Sequence, residues 1–219
     1  MILLDFERIW PSVPYIVGGI PVTLAYTGVS LCLGFVWGML LALCKVSHIK
    51  FLKWSAGFYT SVFRGTPLLL QLTLIYHAIP QLTGYSISIW EAGILTFTLN
   101  SGAYVSEHIR AGINGVDKGQ MEAALSLGIP YSLIMKDIIL PQAIRIILPS
   151  LVNEAIDLVK ESSLISVIGG ADILRRAVIV SSEKYLYFEP LLIAGLLYYV
   201  LILILTFAAQ LIEKKLKTT

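Results

Sequence analysis

Glu154, Asp157, Lys160 and Glu161 are the side chains of this sequence whose types and spacing could do chemistry inside an apolar protein. At about 100° per residue, the three carboxylates fall on one helix face within an arc of about 60°, with Lys160 just beside them. Counting Lys160, the stripe carries a net charge of −2, and in a low dielectric that sign favours a cationic ligand. Asn100, Ser101, Tyr104 and Asn153 supply amide and hydroxyl groups that can meet the polar ends of a zwitterion. A second account uses the same charges structurally, as an ion-pair network at a helix interface or at the membrane face. In it Lys160 and Glu161 pair internally, and Glu154 and Asp157 alone face a path.

Composition decides where such a stripe lives. Hydrophobic residues make up 57% and charged residues 14% of the chain, with a mean hydropathy of +0.81, which is the composition of an integral membrane protein. The 219 residues allow about five helices of ~20 residues each, with no room for a separate soluble domain. No Gly-x-x-x-x-Gly-Lys-Ser/Thr run occurs, so ATP would have to be hydrolysed by another polypeptide. The net charge of +2 is too small to suggest nucleic acid. Cys32 and Cys44 lie ~18 Å apart along one helix and cannot pair there. His48, His77 and His108 are scattered, and His77 reads as a satisfied core residue. No metal set, nucleophile and base, or organic cofactor is called for.

Charge-free runs place the spans. The Gly18-Gly19-Ile20-Pro21 breaker divides an interfacial N-terminal piece from a first span of about Ile20 to Cys44. Asp5, Glu7 and Arg8 give no basic signal-peptide start, so that span is expected to remain. Lys45, His48, Lys50 and Lys53 follow, which predicts a cytoplasmic end by the positive-inside rule. A second span is expected near Thr66 to Leu82 and a third from about Ile87 to Ser106, with the segment Thr83 to Trp90 outside. The fifth, about Phe188 to Ile212, is flanked by Tyr185, Tyr187 and Phe188 at one end and Lys214, Lys215 and Lys217 at the other. Orientation then requires a fourth crossing, expected from Pro149 to Gly169, which carries the charged stripe. A charge at the bilayer centre costs roughly 2.5 to 3.5 kcal/mol, so this helix must turn its charged face to a bundle interior. Arg175, Arg176 and Lys184 run against the charge rule in the loop that follows.

Between the third and fourth spans, residues 122 to 141 hold Glu122-Ala123-Ala124, Gly128, Ile138, Leu140 and Pro141. Glu-Ala-Ala, three residues, Gly, nine residues and Ile-x-Leu-Pro resembles the coupling loop of permease subunits in ATP-binding-cassette (ABC) importers. Alanine keeps a short helix narrow, Gly128 allows a sharp turn, and Pro141 limits how a second short helix continues. Phe63-Arg64-Gly65-Thr66-Pro67-Leu68-Leu69-Leu70-Gln71, Asn100-Ser101-Gly102-Ala103-Tyr104 with Glu107 and Arg110, Gly119-Gln120, Leu140-Pro141-Gln142-Ala143 and Ser163-Leu164-Ile165-Ser166-Val167-Ile168-Gly169 extend the likeness over nearly the whole chain. Together they resemble the permeases of polar amino-acid ABC importers. Arg64 is expected at the cytoplasmic boundary, on lipid phosphate or a neighbouring carboxylate, and Glu107 and Arg110 can neutralise each other.

The resemblance implies an all-α integral membrane protein with the type I ABC importer permease fold. It would be one domain over residues 1–219 with five transmembrane helices, cytoplasmic coupling helices at about 114–148, the N-terminus outside and the C-terminus inside a bacterial inner membrane. It further implies a second permease chain, two copies of an ABC ATPase subunit, an extracytoplasmic solute-binding protein and an amino-acid substrate, with alternating access and no covalent chemistry in this chain. The stripe favours arginine, lysine or histidine, with glutamine or cystine as the alternative. An ion-coupled secondary transporter would use intramembrane carboxylates too, but should show inverted repeats and discontinuous helices. A membrane hydrolase would need a nucleophile constellation, and none is present.

Overall fold

The computed structural model describes residues 4–217, and they are helical almost throughout. Three short turns, α1 (Phe6–Ile9), a 3-10 turn (Trp10–Ser12) and α2 (Val13–Val17), precede the long α3 (Ile20–Val46), whose Pro21 sits in the first turn. Then come α4 (Lys50–Gly65), α5 (Leu68–Thr83), α6 (Ile89–Asn114), α7 (Lys118–Ser126) and α8 (Tyr131–Leu133). A π turn (Ile134–Ile139) leads into α9 (Leu140–Glu161), and a 3-10 segment (Ser162–Ile168) leads on to α10 (Ile173–Lys184) and α11 (Phe188–Lys217). By length and apolarity, Phe6–Val46 and Phe188–Leu211 qualify as membrane-crossing helices. The side chains of Lys215 and Lys217 lie outside the described residues.

At the centre α3 packs along α6. Gly34 and Gly38 face Ser101, Gly102 and Val105, and a Cβ added at Gly38 would lie 2.6 Å from the Val105 side chain. Small residues four apart let two backbones approach closely, the usual basis of helix association where lipid is as apolar as leucine. Tyr26, Leu72, Phe97, Leu158 and Ile165 fill the core beside this contact.

α5 lies where the second span was expected, near Thr66 to Leu82, but a helix not expected from the sequence precedes it. Lys50–Gly65 is itself helical and packs on α3 and α6, with Trp37 Nε1 donating to Tyr59 Oη (2.9 Å) and Tyr59 Oη to the Leu99 carbonyl (2.8 Å). Its lysines obscured this, although Phe51, Trp54 and Phe58 already recur at helical spacing. The chain breaks at Thr66-Pro67, because proline disfavours helix in the residue before it. The break leaves the last α4 carbonyls without helix partners, and two amides replace them. Gln71 Nε2 donates to the carbonyls of Phe63 (2.8 Å) and Thr66 (3.1 Å), while Asn100 Nδ2 donates to Phe63 (3.1 Å) and to Gln71 Oε1 (3.0 Å). From the end of α4, Arg64 reaches Glu107 (3.9 Å), a neighbouring carboxylate of the kind expected for it.

Two further boundaries move. The third helix runs eight residues past Ser106, to Asn114, because Glu107 and Arg110 are paired there. The fourth begins at Leu140 and keeps Pro149 inside it. No separate second coupling helix forms, since α8, the π turn and α9 run on without a break. Proline lacks the N–H and crowds the carbonyl four residues back, and the wider π turn before Pro141 accommodates both defects. Arg176, the awkward cation beyond this helix, donates to the Tyr15 carbonyl (3.0 Å) and lies over the Tyr15 ring, so it fastens α10 to the N-terminal turns.

Replacing Gln71 with Leu removes the donor to Thr66 and the acceptor for Asn100. Unmet buried polar groups cost about 1–3 kcal/mol each, so the purified variant is expected to melt several degrees lower in detergent. An unchanged melting temperature would show that the amide bridge does not hold the broken helix.

Candidate functional site

The charged face of α9 and one face of α6 enclose a cavity of about 300 Å³ lined by Tyr104, His108, Ser150, Asn153, Glu154, Asp157 and Glu161. That is the lower end of the range for small-ligand pockets. Five of the seven residues expected at a ligand site therefore come together. The other two do not. Asn100 is committed to the helix break, and Ser101 is fully buried against Gly34 on the α3 side of α6.

Within the cavity the carboxylates differ. Lys160 Nζ lies 2.6 Å from Asp157 Oδ1, with both side chains more than half exposed. The expected Lys160 and Glu161 pair does not form, because adjacent residues on a helix do not face one another whereas residues three apart do. Glu154 is only 7% exposed, and its ion-pair partner among the described residues is His108, whose Nε2 stands 3.7 Å from Glu154 Oε2. The sequence reading set His108 aside as scattered. Its place four residues after Tyr104 on the same helix puts both on one face, and that spacing was the available signal.

One turn away, Glu107 gathers cations from three elements. Lys45 Nζ approaches its Oε1 at 2.5 Å, Arg110 its Oε2 at 2.7 Å, and Arg64 its Oε2 at 3.9 Å. Arg64 also lies over the Tyr104 ring, 5.2 Å from the centroid. The guanidinium spans from a cavity-lining aromatic to the carboxylate that ties α3, α4 and α6.

Beyond α6 lies the Glu122 to Pro141 segment. Asp117 caps α7 by accepting from the Gly119 N–H (2.7 Å). At the other end Gly128 has φ +74°, its N–H bonds the Leu125 carbonyl (2.9 Å), and the Ile129 N–H reaches back to Ala124 (3.1 Å). These are the two bonds of a Schellman cap, which requires a left-handed residue. Nothing lies within 4 Å of a Cβ built on Gly128, so the constraint is conformational and not steric. Glu122, Ala123, Gly128, Leu140 and Pro141 are exposed, and Leu127 (80% exposed) and Tyr131 (63% exposed) add apolar surface around them. Ala124 and Ile138 instead turn toward a small core of Val116, Ile134, Ile139, Ala143 and Ile147. The narrowness of Ala124 thus serves contact within this chain. Reciprocal amide bonds between Gln120 and Gln142 clamp α7 to the start of α9.

Comparison with known proteins agrees with this architecture. Residues 34–218 match the family model described as the binding-protein-dependent transport system inner membrane component. A protein of Rickettsia felis, named provisionally as a glutamine transport system permease, is 56% identical over 95% of each chain. The arginine transport system permease protein of Bacillus subtilis is 52% identical over 98% of each. Among solved structures, an amino acid ABC transporter crystallised with histidines superposes with a TM-score of 0.93 at 43% identity, over 98% of this chain and 100% of the other. The inward-facing MetNI methionine ABC transporter, at 21% identity, shares the fold with a TM-score of 0.76 over 94% and 98%. The chain belongs to the family of binding-protein-dependent transport system inner membrane components, as the permease subunit of an amino-acid ABC importer.

Proposed function

We propose that this permease moves cationic amino acids, arginine, lysine or histidine, through the cavity between α6 and α9. The observation that carries the reading is Glu154, nearly buried in that cavity beside Glu161, with the titratable His108 as its ion-pair partner. Asp157 is already met by Lys160, which leaves two carboxylates for an incoming cation. A buried carboxylate without a permanent counter-ion is costly, and a cationic side chain would offset that cost. Asn153, Ser150 and Tyr104 would meet the amino and carboxyl groups. The similar protein of Bacillus subtilis is named for arginine, and the similar crystal structure is described as holding histidines. Glutamine or cystine is the second reading, favoured by the neutral polar lining and by the glutamine names of the Rickettsia relatives.

Residues 1–219 would act as one permease domain with five crossings, α4 and α5 together forming the second. Two such chains, identical or homologous, would pair, with one ATPase subunit docking on each coupling segment at about 114–148 and an extracytoplasmic binding protein delivering the substrate. Lys45, His48, Lys50 and Lys53 at the junction of α3 and α4 favour a cytoplasmic position for that end, hence the N-terminus outside and the C-terminus inside. Closure of the ATPase dimer would draw the coupling segments together and open the cavity outward.

Gly128→Val tests the docking reading. Left-handed backbone costs a non-glycine residue roughly 1–2 kcal/mol, and more for a β-branched one. Uptake is therefore expected to fall while the subunit still inserts and assembles. Normal coupling of ATP hydrolysis to uptake would refute it.

Topology has its own check, in a background lacking Cys32 and Cys44. Gln81, Thr83 and Lys118 are all exposed, so labelling at cysteines placed there reports the side of the membrane and not burial. An impermeant thiol reagent added outside should label positions 81 and 83 and spare 118, and the reverse pattern overturns the orientation.

For the substrate, labelled arginine uptake is competed with unlabelled amino acids. Glu154→Gln is expected to raise half-saturation for arginine roughly tenfold or more, the equivalent of about 1.4 kcal/mol. Asp157→Asn should do less, because Lys160 already occupies that carboxylate. Arginine uptake unchanged in both variants, or wild-type uptake blocked by glutamine and not by lysine, would sink the cationic reading.

A further inference from the structure

We propose that His108 is a specificity-determining residue, a proton-controlled counter-ion that competes with the cationic substrate for Glu154. The inference rests on the cationic reading of the cavity and deepens it. His108 Nε2 is 3.7 Å from Glu154 Oε2, and both side chains line the same cavity. The separation exceeds hydrogen-bond length, so the pair gains chiefly from charge and only when the imidazole is protonated.

The surroundings leave His108 as the group that decides. From α9 it is faced by Glu154, Asp157 and Glu161, with Lys160 held on Asp157. On α6 it has Tyr104 one turn before it and Glu107 beside it in sequence. Glu107 is held by Arg110, by Lys45 from α3 and by Arg64 from the end of α4. Every permanent cation named here is thus engaged by Asp157 or Glu107, and none reaches Glu154.

The consequence has a definite sign. With His108 neutral, Glu154 is left to meet a cation in the cavity. With His108 protonated, that carboxylate already has its counter-charge. A proton on the imidazole supplies the charge that a cationic side chain would otherwise bring to Glu154, so arginine and a proton compete, and arginine affinity falls as the pH drops. Conversely, arginine binding expels the proton by linkage.

The test is equilibrium binding of labelled arginine to the purified permease together with its ATPase partner in nanodiscs, without the binding protein, at pH 8 and pH 5.5. Wild type is expected to bind about tenfold more weakly at the lower pH, the equivalent of about 1.4 kcal/mol. His108→Gln and His108→Asn, read in parallel, should give nearly the same affinity at both values. His108→Lys fixes the charge and should bind weakly at both. In Glu161→Gln the absolute affinity falls but the ratio between the two pH values persists. A neutral variant that keeps the wild-type ratio, or a ratio abolished by Glu161→Gln, overturns the inference alone. Glu154→Gln that binds arginine as wild type does at pH 8 overturns the cavity reading and this inference with it.

Discussion

Charge inside an apolar bundle has to be met by charge, and the paired carboxylates of α6 and α9 organise the rest of the structure. Glu107 is the clearest case. It sits where α3, α4 and α6 converge, and Lys45, Arg64 and Arg110 each end on it. Without a central anion these three cations would repel one another at close range. With it, the ends of α3 and α4 are drawn to one point on α6, and Arg64 lies over the Tyr104 ring. Glu154 follows the opposite design, buried with a histidine as its ion-pair partner among the described residues. One carboxylate therefore ties three helices together, and the other lines a cavity.

The same demand applies to the backbone. Buried carbonyls cannot be left unpaired without cost, yet the chain breaks between α4 and α5 at Thr66-Pro67. Gln71 and Asn100 repair it, and so Asn100, expected at a ligand, is spent on a carbonyl and on the Gln71 amide.

Much of this was legible in sequence, and the misses share a cause. Charge-free runs located α3, α6 and α11, since hydrophobicity is nearly one-dimensional information. The turn at Gly128 was legible because only glycine takes a left-handed cap cheaply, and a left-handed residue is what stands there. The carboxylate stripe was legible because i, i+3 and i+7 share a helix face, and Glu154, Asp157 and Glu161 do line one cavity. What failed needed knowledge of partners. Lys50 and Lys53 kept α4 from being read as a helix, Pro141 suggested a helix limit that the π turn relieves, Pro149 suggested a helix start and stands inside α9, and Asn100 was counted toward the ligand when its partner was a carbonyl 37 residues away in sequence. His108 was passed over because a lone histidine signals little until the opposing helix is in place.

The continuity of the chain from α8 through α9 bears on how a docked partner could act on the cavity. Tyr131 lies beside the Gly128 turn, and Glu161 lies in the cavity wall, with no loop between them. A displacement applied near Tyr131 must tilt this run as a body or be lost in bending. The π turn is the soft point, because its hydrogen bonds are irregular and Pro141 cannot donate to the ladder. That softness is countered locally. Ala124 on α7 packs with Ile134 and Ile139 inside the turn and with Ala143 beyond it, and the Gln120 and Gln142 amides bond each other across the same gap. The short helix α7 therefore splints the π turn from both sides. A push on the exposed face of α7 and the Gly128 cap would thus reach α9 beyond the π turn, leaving Pro149 as the place between that turn and Glu154 where the helix can bend.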